Sequence, residues 1–257
     1  MRSGALEFFD FVLRRREEGR PAVIAVMGPQ GSGKTALALH VLLRAYGRWP
    51  RALEFLYFAP SDFYSHFSRR PGDFPAPAIV FDDAGLWLGK SRWYEKDVRR
   101  FSELMNVARN VAWAVIFTLP SPNLPASIER NVEYEVWVMP CPPAYAAKYG
   151  GDVACGSMYR AFYSVSTKER MVERVLAMAW LKRYPDAVYR LYSLIRQSKV
   201  LWKMAQASKG AAEEEARRFS ESAAQEVRRL ALELGATQEE AEELASRVGP
   251  WSWGQAP

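Results

Sequence analysis

Residues 28–35 read Gly-Pro-Gln-Gly-Ser-Gly-Lys-Thr, which fits the pattern G-x-x-x-x-G-K-[ST]. A short, wholly apolar run at 22–27 (AVIAVM) precedes this stretch and predicts a buried strand. A helix is predicted to follow, from Lys34 to about Tyr46. A glycine-rich turn between a strand and a helix is the context that the pattern requires for binding phosphate. The stretch therefore predicts an α/β fold with a phosphate-binding loop.

The residue types of this loop suit a nucleotide. Its glycines let the backbone curl so that successive N–H groups point at phosphate oxygens, and the helix N-terminus adds partial positive charge. Lys34 is expected to reach the β- and γ-phosphates, and the Thr35 hydroxyl to hold Mg²⁺. We therefore predict ATP and Mg²⁺ as cofactors. The predicted nucleotide-binding residues are Gly28, Pro29, Gln30, Gly31, Ser32, Gly33, Lys34, Thr35 and Ala36.

A second apolar run, 78–81, ends in the acidic pair Asp82-Asp83. An acid at the end of a strand can orient Mg²⁺, and its neighbour can polarise the attacking water. We assign these roles to Asp82 and Asp83 respectively. Many hydrolysing proteins of this class have Glu at the position of Asp83, and Asp is one methylene shorter. Hydrolysis is therefore expected to be slow or dependent on a partner.

Two further residues are candidates for sensing the nucleotide. Thr118 ends the fourth predicted strand, where a polar side chain can contact the γ-phosphate or the attacking water; the alternative is a hydroxyl that only bonds to a turn. Arg130 precedes the fifth predicted strand, a position that in oligomeric ATPases often projects an arginine into a neighbouring subunit. Arg109 is the competing candidate for this role, and both could equally be surface arginines.

Strands alternate with helices over residues 20–140, which predicts a three-layer α/β core with a parallel sheet covered on both faces. A helix precedes this region, with Ser3 as its cap. Strands are predicted at 22–27, 53–59, 78–82, 112–118, 134–139 and 159–166. A short helix is predicted with Ser61 as its cap and Pro60 just outside it. Further helices are predicted at 34–46, 94–109, 126–130, 167–184, 186–208, 211–234 and 238–248. Three segments result: a P-loop core at 1–166, a basic helical region at 167–210 and an acidic helical hairpin at 211–257.

The net charge of +6 is unevenly distributed along the chain. Residues 211–257 carry −5, whereas 1–210 carry +11, and the stretch 166–210 alone carries +7. A basic core favours a polyanionic partner, so DNA is predicted, with a solvated basic helix surface as the alternative. The aromatic and basic residues around Trp87 could add DNA contacts, although packing in the core explains most of them. The acidic helices are predicted to contact a protein, because they carry an apolar stripe and repel phosphate.

The composition excludes several classes of protein. Two cysteines, Cys141 and Cys155, exclude a disulfide scaffold, and with only two histidines they make a zinc site improbable. Free thiols are predicted, with a loop-closing disulfide as the alternative. The sequence contains no apolar run of about 18 residues that could cross a bilayer and no recognisable signal peptide. A cytoplasmic protein is therefore predicted.

The order of motifs resembles one family of P-loop ATPases. The segments GPQGSGKT, LEFLYFAPSDFYSHF, AIVFDDAG, FSELMNVARN and AVIFTLPSPNLPASIERN are similar to the AAA+-like core of bacterial helicase loaders and transposition ATP-binding proteins of the DnaC/IstB type, with DnaA-type initiators as cousins. The resemblance covers residues 20–140 and implies an oligomeric ATPase in DNA replication, helicase loading or DNA transfer. The high arginine share, 26 of 35 basic residues, and only four Asn favour a thermophilic source such as an archaeal mobile element.

The sequence departs from this family after the fifth predicted strand. Residues 141–166 contain a loop and an extra predicted strand, where the AAA+ pattern continues directly into a helical lid. An added strand is more typical of RecA-like or FtsK/HerA-like DNA-pumping ATPases. A packaging or conjugative pump is therefore the first alternative. A binding switch that uses ATP with little hydrolysis is the second.

Overall fold

The computed structural model describes residues 4–89, 94–105, 110–149, 152–163, 170–208 and 211–249. The chain divides into two compact units, the first formed by 1–45 with 72–183 and the second by 46–71 with 184–257. The boundaries of the predicted segments, after 166 and after 210, do not coincide with those of the units. Within the described ranges, no helix combines the length and apolar character needed to cross a membrane.

The elements of both units follow the chain in this order. The helices are α1 (Gly4–Glu17), α2 (Lys34–Tyr46), α3 (Trp49–Leu53), α4 (Pro60–Arg69), α5 (Lys96–Met105), α6 (Ala126–Glu129), α7 (Pro143–Tyr149), α8 (Asp186–Ser208), α9 (Ala211–Glu233) and α10 (Gln238–Ser246). The strands are β1 (Ala22–Met27), β2 (Leu56–Tyr57), β3 (Ile79–Phe81), β4 (Ala114–Leu119), β5 (Tyr134–Met139), β6 (Val153–Tyr163) and β7 (Arg170–Leu181).

The sheet of the first unit runs in the order β3-β4-β1-β5-β6-β7. Its first four strands are parallel, whereas β6 and β7 are antiparallel to their neighbours. Phe11 of α1 contacts Tyr134 with ring centroids 4.8 Å apart, and Phe101 of α5 contacts Phe81 at the same separation. Tyr134 and Phe81 lie on opposite faces of the sheet, because their register partners on β1 are adjacent residues. The predicted three-layer α/β core is confirmed.

The helix predicted at 167–184 is wrong, because residues 170–181 form strand β7. The sequence RMVERVLAMAWL carries apolar residues at spacings that fit either a helix or a strand, so the local pattern does not decide. β6 supplies the deciding contact, since it pairs with β7 from Val153↔Leu181 to Tyr163↔Arg170. The extra strand predicted at 159–166 exists but begins earlier, at Val153.

The strand predicted at 53–59 is also mostly wrong. Only Leu56–Tyr57 form a strand, and α3 occupies the residues up to Leu53. Ser61 does not cap the next helix: Ala59 is the N-cap of α4, and Pro60 occupies the first turn, where its missing N–H costs nothing. The helix predicted at 94–109 is found as α5, and residues 106–109 lie outside the described ranges.

In the second unit, α9 packs against α8 and α10 and buries the predicted apolar stripe, including Ala216, Val227 and Leu230. The predicted capping box at the start of α10 is present: the Thr237 hydroxyl accepts from the backbone of Glu240, and the Glu240 carboxylate accepts from the backbone of Thr237. Arg247 directly follows α10 in the chain, and its buried guanidinium donates to the carbonyls of Leu53 and Leu56.

Cys141 and Cys155 form a disulfide with their Cα atoms 5.0 Å apart, so the prediction of free thiols is wrong. Antiparallel pairing of β5 with β6 explains the proximity, because Cys155 is the register partner of Met139 and Cys141 follows two residues later. The disulfide closes the connection that contains α7. Spacing alone could not show this, since the pairing depends on the added strand.

We expect Cys141→Ser to lower the free energy of unfolding by about 3 kcal/mol, because a disulfide across this separation of 14 residues restricts the unfolded chain. Denaturant unfolding followed by circular dichroism measures the change. The oxidised wild type should lose the same amount when dithiothreitol is added, whereas the variant should not respond to it. Equal midpoints for oxidised wild type and variant would contradict the expectation.

Candidate functional site

Three parallel strands of the first unit end at the same edge of the sheet. Met27 of β1 is the register partner of Leu119 of β4, and Phe81 of β3 is the partner of Phe117. Because the carboxyl ends of parallel strands meet at one edge, the segments that follow β1 and β3 lie beside the end of β4. The sheet thereby brings the glycine loop, Asp82 and Thr118 together.

Glycine is required at both ends of the loop. Gly33 has φ +101°, and a Cβ on it would lie 2.9 Å from the Ala154 Cβ. A Cβ on Gly28 would lie 2.9 Å from the Val138 Cβ and 3.1 Å from the Val138 carbonyl oxygen. Real Cβ atoms do not approach so closely, so the loop reaches this position against β5 and β6 only with glycine at both positions.

Lys34 lies across the loop. Its Nζ donates to the carbonyl oxygens of Gly28 and Pro29, at 2.8 and 2.7 Å, and its side chain is buried. The Ser32 hydroxyl is also buried and has no hydrogen-bond partner among the described residues. A buried ammonium and an orphaned hydroxyl donor in one glycine loop fit an oxyanion such as a phosphate group.

Asp82 is fully buried at the centre of the polar cluster. Its Oδ1 accepts from the Thr35 hydroxyl at 3.0 Å and from the Thr118 hydroxyl at 2.5 Å. Thr118 Oγ1 in turn accepts from the backbone N–H of Asp83 at 2.9 Å. The carboxylate of Asp82 and the hydroxyl of Thr35 are hard oxygen donors of the kind that Mg²⁺ prefers, so this cluster fits the predicted cofactor.

Asp83 differs from Asp82 in exposure and in backbone conformation. It is half-buried and adopts φ +48° and ψ +36°, the left-handed region that non-glycine residues rarely occupy. Such a conformation persists where the surroundings impose it and is concentrated at functional sites. Asp83 therefore follows Asp82 at the same edge of the sheet, in a backbone conformation typical of functional sites.

The structure places the other predicted residues as follows. Ala36 is buried in the first turn of α2, while Pro29, Gln30 and Gly31 are exposed at the loop surface. Arg130 follows α6 with an exposed side chain, and within the described ranges its guanidinium makes no hydrogen bond or ion pair. Arg109 lies outside the described residues.

Trp87 is fully buried against Phe81 and Phe101, which makes it a core residue rather than a DNA contact.

β7 also contributes residues beside the loop, which the helix predicted at 167–184 does not anticipate. The indole Nε1 of Trp180 donates to the Gly33 carbonyl at 2.9 Å, and the Lys182 Cγ would lie 2.9 Å from a Cβ on Gly33. His40 of α2 contacts the carbonyl of Leu181 through Nε2 at 3.0 Å. Burial lowers the pKa of His40, although the carbonyls of Leu181 and Arg183 oppose this shift. The sequence does not predict these contacts of Trp180 and Lys182, because a helix at 167–184 would not pair with β6 beside the loop.

No protein-family model matches this chain. It is similar to the uncharacterized protein B-251 of Sulfolobus spindle-shape virus 1, with 40% identity over 107 residues, which are 38% of this chain and 43% of that protein. It is also similar to the uncharacterized protein ORF286 of Acidianus two-tailed virus, with 32% identity over 100 residues, covering 37% of this chain and 35% of that protein. The matches thus span less than half the length of these relatives, which are viral proteins.

Among solved structures, the genome packaging NTPase B204 from Sulfolobus turreted icosahedral virus 2, in complex with ATP-gammaS, has 10% identity and a TM-score of 0.36, covering 59% of this chain and 96% of that chain. The N-terminal domain of zonular occludens toxin from Neisseria meningitidis has 12% identity and a TM-score of 0.34, covering 61% and 94%. Overlap at this level carries no information on function. The resemblance to helicase loaders stays a prediction.

Proposed function

We propose that this protein is a P-loop ATPase that moves or packages DNA for a virus or mobile element. The observation that carries its nucleotide chemistry is the cluster around Asp82, in which Thr35 from the loop and Thr118 from β4 both bond to the buried carboxylate. A glycine loop with an internal lysine, joined to a strand-end acid, is the arrangement that binds a nucleoside triphosphate with Mg²⁺.

In the proposed mechanism, the loop N–H groups and Lys34 hold the phosphates, which orients the terminal phosphate at the carboxyl edge of the sheet. Thr35 and Asp82 would hold Mg²⁺, which neutralises phosphate charge when bound. Asp83 orients the attacking water, and its carboxylate accepts the water's proton. Asp83 is shorter than the Glu common in this class, so turnover is expected to be slow without a partner.

Action on DNA is supported by the charge and by the added strands. Residues 1–210 carry a net charge of +11, which attracts a polyanion. β6 and β7 extend the sheet beyond β5, where the helicase-loader pattern continues into a helical lid. This extension favours a DNA pump of the FtsK/HerA type over a replication loader. The similarity to two viral proteins accords with a role in packaging or DNA transfer.

An oligomer is part of this proposal. The exposed Arg130 guanidinium is available to a neighbouring subunit, where it would stabilise charge developing on the phosphates; Arg109 is the competing candidate. The acidic helices at 211–257 are the proposed surface for a protein partner. The second candidate function, a binding switch with little hydrolysis, is favoured by one observation only, the short side chain of Asp83.

The proposal is tested by ATP turnover with and without single- and double-stranded DNA, with the mass of the oligomer measured on the same sample. We expect DNA to raise turnover severalfold, and a pump to form hexamers with ATP and DNA present. Lys34→Ala provides the background rate. Tight ATP binding with negligible turnover in every condition would support the second candidate, a binding switch. A monomeric protein whose ATP turnover does not respond to DNA would overturn the DNA-pump proposal.

A further inference from the structure

We infer that Lys182 is a second cationic phosphate contact of the nucleotide site, held in place by the end of β7. The inference rests on the proposed function and names a residue outside the glycine-loop motif and the acidic strand end. It follows from three contacts that fix the end of β7 and Lys182 against the loop, α2 and the residue before β6.

The backbone around Lys182 is anchored on both sides. Its own N–H donates to the Asp152 carbonyl at 2.7 Å, and the preceding carbonyl, that of Leu181, contacts His40 Nε2 at 3.0 Å. One residue earlier, the Trp180 indole donates to the Gly33 carbonyl at 2.9 Å. The backbone position of Lys182 relative to the loop is therefore set by hydrogen bonds to the loop, to α2 and to the start of β6.

The side chain of Lys182 lies against the loop. Its Cγ and Cδ would be 2.9 and 3.2 Å from a Cβ on Gly33, so its methylene groups cover the face that this glycine leaves open. In the part of the chain that the structure describes, no hydrogen bond or ion pair engages its ammonium. An ammonium with no acidic partner, carried on a stem that touches the phosphate loop, is suited to an anionic ligand.

Among the cationic side chains near the loop, Lys182 is the one suited to be a second phosphate contact. Lys34 is the first proposed cationic contact, and Arg183, which follows Lys182, is ion-paired with Asp152. Burial lowers the pKa of His40, which disfavours its charged form, and its Nε2 already contacts the Leu181 carbonyl. Since glycine-loop N–H groups cradle the α- and β-phosphates, Lys182 is expected to contact those phosphates, which ATP and ADP share.

The test uses Lys182→Met, which keeps an apolar stem against Gly33 and removes the charge. Isothermal titration calorimetry of the full chain with ATP and with ADP should show about tenfold weaker affinity for both nucleotides. The loss should shrink as salt is raised, because screening weakens the charge interaction in the wild type. Lys182→Arg should retain most of the affinity, and Arg183→Met is the matched control and should bind like the wild type.

Wild-type affinity in Lys182→Met, or an equal loss in Lys182→Met and Lys182→Arg, would overturn the inference, because charge would then be irrelevant at this position. Thermal unfolding without nucleotide identifies a variant that fails to fold. If Lys182→Met does not fold, the nucleotide affinities of Lys182→Arg and wild type are compared at rising salt. The inference requires the affinity of both proteins to fall as salt is raised, because both would contact phosphate through a positive charge. If the wild type itself binds neither nucleotide, the proposed function fails, which is a distinct outcome.

Discussion

Replacing Lys34 by Ala is expected to abolish measurable ATP binding, weakening affinity about a hundredfold or more. The lysine contributes a buried positive charge in the glycine loop, and its Nζ also holds the carbonyls of Gly28 and Pro29. The alanine variant loses both the charge proposed to hold the phosphates and the contacts with the carbonyls of Gly28 and Pro29. Isothermal titration calorimetry with ATP and Mg²⁺ measures the loss.

The matched control is Lys148→Ala, which removes an exposed lysine of α7 and should leave ATP affinity unchanged. Thermal unfolding without nucleotide should be nearly the same for both variants, because the rest of the first unit keeps its packing. ATP affinity in Lys34→Ala equal to that of the wild type would exclude the glycine loop as the nucleotide site.

Asp83→Asn is expected to leave ATP affinity within about twofold of wild type and to lower turnover by a factor of about 10² to 10⁴. Asparagine has the same shape and tolerates the left-handed conformation that Asp83 adopts, so the backbone is preserved. Its amide cannot accept a proton from the attacking water. Binding and hydrolysis should therefore separate in this single variant.

Turnover is measured as phosphate release at saturating ATP, with and without DNA, alongside the binding titration. Asp186→Asn, a change in an exposed acid at the start of α8, controls for the loss of one negative charge and should hydrolyse ATP at the wild-type rate. Hydrolysis at the wild-type rate in Asp83→Asn would assign the base to another group.

The edge of the sheet that carries the candidate site was predictable from local sequence. The run AVIAVM, the glycine loop and the strand ending in Asp82 each carry their own signal, and parallel strands must place their ends side by side. The region beyond Met139 was not predictable in this way. The segment 170–181 fits two periodicities, and only its pairing with β6 selects the strand.

The missed residues all depend on that pairing. Trp180 and Lys182 lie about 150 residues along the chain from Gly33, and no local pattern relates them to the loop. The disulfide has the same origin, because Cys155 meets Cys141 only when β6 runs antiparallel to β5. Long-range strand pairing, which no window of sequence contains, therefore accounts for the main errors.

The hydroxyl of Thr118 is bonded to both acids that follow β3. Its proton is committed to Asp82, and its oxygen accepts from the backbone of Asp83, so the hydroxyl spans the two acids. If Asp82 binds Mg²⁺ and Asp83 activates the attacking water, as proposed, this hydroxyl connects the metal site to the backbone of the water-activating acid. Thr118, the predicted sensor, therefore links the two acids through a single hydroxyl group.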